Sequence, residues 1–506
     1  MPASAWPAEA IVSALHRRDG TPLPAADVAA LLHLLRNGLP ESARPTALDM
    51  QPVQPWRRSA LPQSVRTVLD AFRERCGEQA LDTWMAALVR SWLHDIGTGT
   101  ARKMRWVVPG AAVLGGDACA ALIGPHLRSD NYHLRCTGEV GVSALLEIGT
   151  RTALLELARL GRKLPGKLRG EAALRTLQTI AARDGLTPEQ LEDRILADGG
   201  LDADGRRSFD YGPRQFELTL DEHLTPLLRA ADGRRLTSLP KPTAKDDSVR
   251  AAQARAEWRV AKAQITQTSR WLAARFERAM ISGETWPVGE FDAYFRRHPL
   301  ARHAVRRVLW MSTGSDAGNV CFRVAEDDTL ADMHDAPIEL PGGMHGIHPV
   351  HPLDLASDRL DAWRRLLAEY RIVSPFQQLD RPVFRPQPAQ LAQCSVTSFA
   401  HERFEVKALV FPLENRGWLR ERHPDDGMLK RHTRAFARWN VTACIEYTPG
   451  AFLGDLLNSG IQTLRSLYFV ASDTHAHMSR ALLLGNVPPI VFSETLRDLH
   501  ALLPAD

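Results

Sequence analysis

The hydrophobic periodicity of this chain changes once, near residue 200, and that change constrains the fold more than any single motif. Before it, apolar residues recur at three- and four-residue intervals. Leu81, Trp84, Met85, Leu88 and Trp92 share one side of a segment, and so do Leu174, Leu177, Ile180 and Ala181. Such spacing is the inner stripe of a helix packed on its neighbours. LTPEQLEDRIL adds a helix start, with Thr187 as N-cap, Pro188 at the first helical position and Glu189 in the first turn. After Gly199 turn residues crowd together and Phe216-Glu217-Leu218-Thr219-Leu220 alternates, as short strands and hairpins do. A long helix is then predicted from about Asp246 to Met280. Asp246, Asp247 and Ser248 stand at its start, and Trp258, Ala261, Ile265, Leu272 and Phe276 form its seam. Beyond it, NVCFRVA, PIEL, RFEVKALVFPL, TACIEYTP and SLYFVA read as short strands, interleaved with helices such as ASDRLDAWRRLLAEY.

The predicted class is therefore α+β. A helical-repeat, HEAT-like N-terminal region is followed by a mixed α/β C-terminal domain with a long helix near 246–280. A length of 506 residues suits several domains. The divisions drawn from composition are an N-terminal helical segment with a Pro-rich connector over 1–60, a helical-repeat region over 61–198 and the mixed domain over 199–506.

The six cysteines (Cys76, Cys119, Cys136, Cys321, Cys394 and Cys444) include no C-x-x-C pair and are too sparse for a disulfide scaffold, so isolated thiols are expected. The N-terminus lacks a cationic start followed by an apolar core, and no apolar run is long enough to cross a membrane. A cytoplasmic protein with no membrane partner is the expectation. A net charge of +4 does not by itself mark a nucleic-acid binder.

Local charge is less even. Residues 250–310 hold twelve Lys/Arg and five Asp/Glu. Arg255, Arg259 and Lys262 fall on one helix face, offering a surface for phosphate or an acidic partner; the plainer alternative is a solvated helix back. The neighbouring stretch 324–358 has eight Asp/Glu and no Lys or Arg, so it is expected to pair with the basic helix and cancel its field. On that ground nucleic acid is the less favoured partner.

Three polar segments are candidate ligand or pocket positions. GMHGIHPVHPLDL carries His345, His348 and His351, with His334 upstream and Asp335 or Asp354 as possible metal co-ligands. Pro349 and Pro352 hold this segment extended, separating successive His by roughly 9 Å, whereas donors sharing a metal stand only about 4 Å apart. His-Pro at a strand entrance is the simpler reading. In SPFQQLDRPVF, residues Gln377, Gln378, Asp380 and Arg381 line a pocket or fasten a turn to a helix, with Arg381 suited to an anion. In FSETLRD, Ser493 reads as an N-cap, and Glu494 and Arg497 as a helical i, i+3 ion pair. His475 and His477 of HAH are the weak metal candidates. No phosphate loop, dinucleotide fingerprint or nucleophile elbow occurs, so no cofactor and no named chemistry is expected.

The order of LTPEQLEDRIL, GLDADGRRSFDYGPRQFELTL, FRRHPLARHAVRRVLW, HPVHPLDL, AWRRLLAEYRIVSPFQQLDRPVF and VPPIVFSETLRDL resembles the bacterial family built around domain of unknown function 4132. That family includes proteins labelled molybdate metabolism regulator (MolR-like). The resemblance runs from about Gly141 to the C-terminus. It implies no reaction. Some members carry a WGR module linked to nucleic-acid ends; here the Trp–Gly neighbours, in ENRGWLR, stand in the wrong order for it. Asp506 follows soon after FSETLRDL, so a short member lacking a C-terminal element of its relatives is expected. The functional expectation is an interaction or regulatory protein with a helical-repeat scaffold, recognising a protein or small-molecule partner. An enzyme with a polar pocket near 348–381 is the alternative, and nucleic-acid association through 246–280 is the second.

Overall fold

The computed structural model describes residues 11, 14–39, 58–94, 104, 106–129, 138–164, 168–314, 318–340, 344–421, 427–473 and 477–503. Cys136, His475, the side chain of His345 and most of the Pro-rich connector lie outside them. The chain divides into two compact units, Met1–Leu196 and Ala197–Asp506. The whole is mixed α+β, helical in the first unit and sheet-containing in the second.

The described residues of the first unit include α1 (Ala25–Asn37), α2 (Gln63–Cys76), α3 (Glu78–His94), α4 (Val107–Leu114), α5 (Asp117–Leu127), α6 (Gly138–Ile148), α7 (Arg151–Lys163), α8 (Leu168–Arg183) and α9 (Pro188–Arg194). Leu81, Trp84, Met85, Leu88 and Trp92 are buried on α3 and join one core with Leu31 and Leu35 of α1 and Leu157 and Leu177 further on. Two buried carboxylates serve helix ends and arginines rather than solvent. Asp82 accepts from the backbone N–H groups of Gly116, Ala118 and Cys119 and so closes the N-terminus of α5. Glu156 pairs with Arg128 and Arg159.

At α9 the Thr187 hydroxyl accepts from Gln190 N and the Gln190 side chain returns to Thr187 N, a reciprocal capping box. Replacing Thr187 with Ala is expected to cost about 1 kcal/mol. It should also speed hydrogen exchange in a peptide covering 187–194; unchanged exchange there would contradict the cap's role.

Among the described residues the second unit holds three antiparallel sheets. The first is β1 (Arg207–Asp210), β2 (Gln215–Leu220), β3 (Pro226–Ala230) and β4 (Arg235–Leu236), in sequence order. Then come α10 (Ser248–Ser282), α11 (Val288–Phe291) and α12 (Ala301–Val305). The second sheet contains β5 (Trp310–Gly314), β6 (Val320–Val324), β7 (Leu330–Ala331), β8 (Pro337–Ile338) and β9 (Met344–Pro349), ordered β8-β7-β6-β5-β9. After α13 (Ser357–Glu369) follow β10 (Ser395–Val396), β11 (Arg403–Glu405), α14 (Val406–Asn415), β12 (Leu419–Arg420), β13 (Met428–Phe436), β14 (Val441–Phe452), β15 (Ile461–Ala471) and α15 (Pro489–His500). The third sheet runs β10-β15-β14-β13-β12, with β11 also on β15.

Helix α10 is the spine of this unit. Asp247 caps it, accepting from Val249 N and Arg250 N, and its 35 residues span roughly 50 Å. Ala251, Trp258, Ala261 and Ile265 pack on Phe209, Phe216 and Leu228 of the first sheet. Phe276 meets Trp286, Phe295 and Trp310 edge-on. Met280 and Ile281 enter the core of the third sheet with Leu409, Trp418 and Val491.

Three tight turns use one device, two of them in the β2–β3 and β7–β8 hairpins and one just before β1. Asp202, Asp221 and Asp332 each accept from the backbone N–H groups two and four residues on. The fourth residue of each turn is left-handed: Gly205, Leu224 and Asp335 have φ of 74°, 60° and 62°.

Two local readings change. RFEVKALVFPL is a strand only over Arg403–Glu405; from Val406 it is helix α14, because Val406, Leu409, Val410 and Leu413 are the buried residues and their spacing is helical. Ser493 is not an N-cap. α15 begins four residues earlier, with Pro489 at its first position, so Ser493 and Glu494 lie inside the helix.

Candidate functional site

The polar segments picked out in the sequence meet at the buried face of α15. His351 sits between Pro349 and Pro352 in extended backbone, φ −88° and ψ 143°, at the start of a short turn. Its backbone N–H donates to Asp354 Oδ2 at 2.9 Å, and Leu353 N–H donates to its Nδ1 at 3.1 Å. Nδ1 therefore acts as acceptor, so Nε2 carries the proton and donates to Glu494 Oε1 at 3.1 Å. Arg381 grips the same carboxylate in a fork, Nε to Oε1 at 2.7 Å and Nη2 to Oε2 at 2.8 Å. Its remaining nitrogen, Nη1, donates to Glu277 of α10 and to the Gln377 carbonyl, both at 2.8 Å.

His351 and Glu494 are 0% exposed and Arg381 2%. Burial alone would raise the Glu494 carboxyl, but the hydrogen bonds from His351 and Arg381 and the Arg381 charge outweigh it and hold it at about 2. The group is therefore a carboxylate at neutral pH, with its donors already in place.

The other candidates fall into three groups. Gln378 is buried and spends its amide on main chain: its oxygen accepts from Leu309 N, and its nitrogen donates to Leu309 O and Val350 O. It clamps the entrance of β5 to the exit of β9. Gln377 is exposed; its oxygen accepts from Arg497 at 3.4 Å, and its nitrogen donates to Asp380 O. Arg497 lies 3.6 Å from Glu277 and 3.9 Å from Glu494, the looser i, i+3 pair. Asp380 points to solvent, 3.4 Å from Arg364. His348 stands apart on β9, opposite Met311, with a buried Nδ1 that has no hydrogen-bond partner among the described residues. Burial lowers its pKa.

His477 accepts from Ser479 N and caps a short exposed turn. Among the described residues no three His, Cys, Asp or Glu side chains form a metal-holding group.

Two further buried constellations join residues far apart in the sequence; of these residues only Asp498, in FSETLRD, is picked out by its segment. On the same helix, Asp498 accepts from Trp418 Nε1 at 2.8 Å and from Arg434, and burial raises its carboxyl. On the third sheet, His432 Nδ1 meets the Tyr447 hydroxyl at 3.1 Å, with Glu414 3.6 Å from Nε2. Burial raises the Tyr447 hydroxyl and pushes His432 down to about 4; His303 and, in the first unit, His126 are likewise lowered by burial to about 4.

A histidine whose folded pKa lies below its unfolded value favours the native state fully above the unfolded pKa and progressively less as pH falls towards the folded one. Both units should therefore lose stability from about pH 6.5 down to about 4. Thermal melts across that range check this, and His432→Gln should flatten the slope in the second unit.

The basic face is intact but differently partnered from expectation. The acidic stretch does not neutralise it: Asp328 pairs with Arg302 and Arg306, and Asp335 and Glu326 with Arg323. Arg255, Arg259 and Lys262 on α10 have no carboxylate within 4 Å among the described residues. The acids nearest to them in sequence are taken: Asp246 by Arg214, Asp247 by the α10 cap and Arg250, Glu257 by Arg207.

Residues 233–418 match the family model described as Domain of unknown function (DUF4132). The chain is also similar to the "Uncharacterized protein YehI" of Escherichia coli (strain K12), 27% identical over 355 residues, which is 69% of this chain and 29% of that protein. The chain thus spans under a third of the length of the curated relative it matches. No solved structure matches. No helix among the described residues is long and apolar enough to cross a membrane. The second unit thus carries the segment similar to DUF4132, within which lie His351, Gln378 and Arg381.

Proposed function

We propose that the chain is a non-catalytic, cytosolic interaction protein of regulatory type, in which a helical-repeat scaffold accompanies a ligand- or partner-recognising second unit. One observation carries this reading. His351, Gln378, Arg381 and Glu494, the residues best suited to chemistry, are closed off from solvent and committed to one another or to main chain. A carboxylate held at about 2 and fully gripped by an arginine fork is a poor proton acceptor at neutral pH and offers a substrate no approach. Free thiols at Cys76, Cys119, Cys321, Cys394 and Cys444 accord with a reducing compartment.

Glu494→Gln tests it. If the carboxylate is a fastener, neutralising it leaves the Arg381 charge buried and costs about 3 kcal/mol in the second unit. An active-site carboxylate behaves oppositely, since catalytic groups are held at the expense of stability and their neutral isosteres leave the fold as stable or more so. A raised melting temperature would therefore favour the enzyme alternative. A second reading, binding of a polyanion, is favoured by the unneutralised cations of α10.

A further inference from the structure

Between the segment that leaves β4 and the middle of α10 lies a cleft of 490 Å³, lined by Ser238, Leu239, Arg255, Trp258, Arg259 and Lys262 among others. We infer that this cleft binds the phosphate groups of a polyanionic ligand. The volume suits a small ligand or one segment of a longer one. Positions i, i+4 and i+7 of a helix put the three cations on one side along about 10 Å, so they face a common anion rather than three separate ones.

The local acids do not compete, because Asp246, Asp247 and Glu257 are paired elsewhere. Arg259 is braced by its Nε on the Arg255 carbonyl at 3.3 Å, which leaves its two terminal nitrogens for a ligand. Ser238, on the segment that leaves β4, is also among the lining residues. Arg235 on β4 and Lys241, three residues after Ser238, are exposed cations of the same chain segment.

The recognised part of the ligand is its charge and not an aromatic base. Trp258 is buried under Lys262, 5.7 Å from its ring, and edge-on to Phe209, so its face is not open for stacking. Guanidinium groups in a fork and an ammonium are the donors that phosphate oxygens take.

This inference deepens the interaction reading and rests on it. Its failure is separable, since the Glu494→Gln result concerns a different part of the unit. The test uses the full chain with two probes: inorganic tripolyphosphate by calorimetry, and a fluorescein-labelled single-stranded dT oligonucleotide by anisotropy. The comparison set is the parent, Arg255→Glu with Arg259→Glu, and Arg270→Glu, an exposed position of α10 that does not line the cleft.

At about 50 mM salt the parent should bind at least one probe, the double variant about tenfold or more weakly, and Arg270→Glu like the parent. For the oligonucleotide, three phosphate contacts give a log–log salt slope of about −2. Tripolyphosphate that binds and displaces the oligonucleotide identifies a small polyphosphate as the ligand source. Oligonucleotide binding that tripolyphosphate does not displace, yet the double variant loses, identifies a nucleic-acid backbone. No binding of either probe, or binding that the double variant retains while its circular dichroism matches the parent, overturns the inference.

Discussion

Replacing Arg381 with alanine should cost the second unit about 3–5 kcal/mol, because breaking a buried pair from one side leaves the other charge without compensation. Glu494 would keep only the neutral His351 as a close donor, with Arg497 3.9 Å away, in a position that water does not reach. The same change cuts the link from α15 to Glu277 of α10 and frees the Gln377 carbonyl. Faster hydrogen exchange should appear together in peptides covering 270–282, 375–384 and 489–500.

The defect has a pH signature. Glu494 has its folded pKa held at about 2, below the 4.5 of a free glutamate, so its contribution is present above 4.5 and is lost as pH falls towards 2. The gap between Arg381→Ala and the parent should therefore narrow across that window, since a protonated Glu494 no longer needs a counter-charge. A gap that stays constant down to pH 2 would mean that Arg381 acts through packing alone.

Trp310→Ala should be comparably severe. Trp310 is fully buried at the first position of β5, edge-on to Phe276 at 5.0 Å and Phe291 at 4.7 Å, and its Nε1 donates to Val305 O at 2.9 Å. Truncating a buried tryptophan costs about 3–5 kcal/mol, and the lost edge-to-face contacts place this site at the upper end, while the Val305 carbonyl keeps the Val308 N–H. Trp310→Phe keeps an aromatic ring but loses the hydrogen bond, and should cost about 1–2 kcal/mol. Trp310 pairs with Phe322 and Pro349, and its neighbour Leu309 is clamped by Gln378. The alanine variant should thus also loosen 344–351 and with it the His351 end of the network. A denaturation midpoint equal to that of Trp310→Phe would show that the ring is not needed there.

How far the sequence reveals this arrangement depends on the distance over which each interaction acts. Local signals are strong. The seam of α10 is buried at Trp258, Ala261, Ile265, Leu272 and Phe276, and Asp247 caps the helix one residue before its first turn. The alternation at Phe216 and Leu218 is a strand with those two residues inward. Where two periods overlap the signal divides. RFEVKALVFPL alternates at its start and is helical after Val406, and its β-branched residues favour strand until the 406, 409, 410, 413 spacing is counted. β13 was hidden because its inward residues Leu429, His432 and Phe436 include a histidine and its alternation is broken by a bulge between Leu429 and Arg431.

The site is legible only as a set of residue types. Glu494 meets Arg381 across 113 residues and His351 across 143, and nothing in local spacing specifies such pairings. Read locally, Ser493 and Glu494 resemble a helix start; Pro489 is the signal that moves the start upstream and turns Glu494 inward. The basic face was visible as a helical stripe, but its freedom from neutralisation depends on where Asp328 and Asp335 go, which is a matter of tertiary pairing.

The most direct measurement is a double-mutant cycle on Arg381→Met and Glu494→Leu, with unfolding of the second unit followed by hydrogen exchange in the peptide covering 489–500. Each single change should cost about 3–5 kcal/mol, and the pair together should return to within about 2 kcal/mol of the parent, because an apolar pair of similar volume needs no compensation. Losses that simply add would contradict a buried Arg381–Glu494 fastener at the centre of this unit.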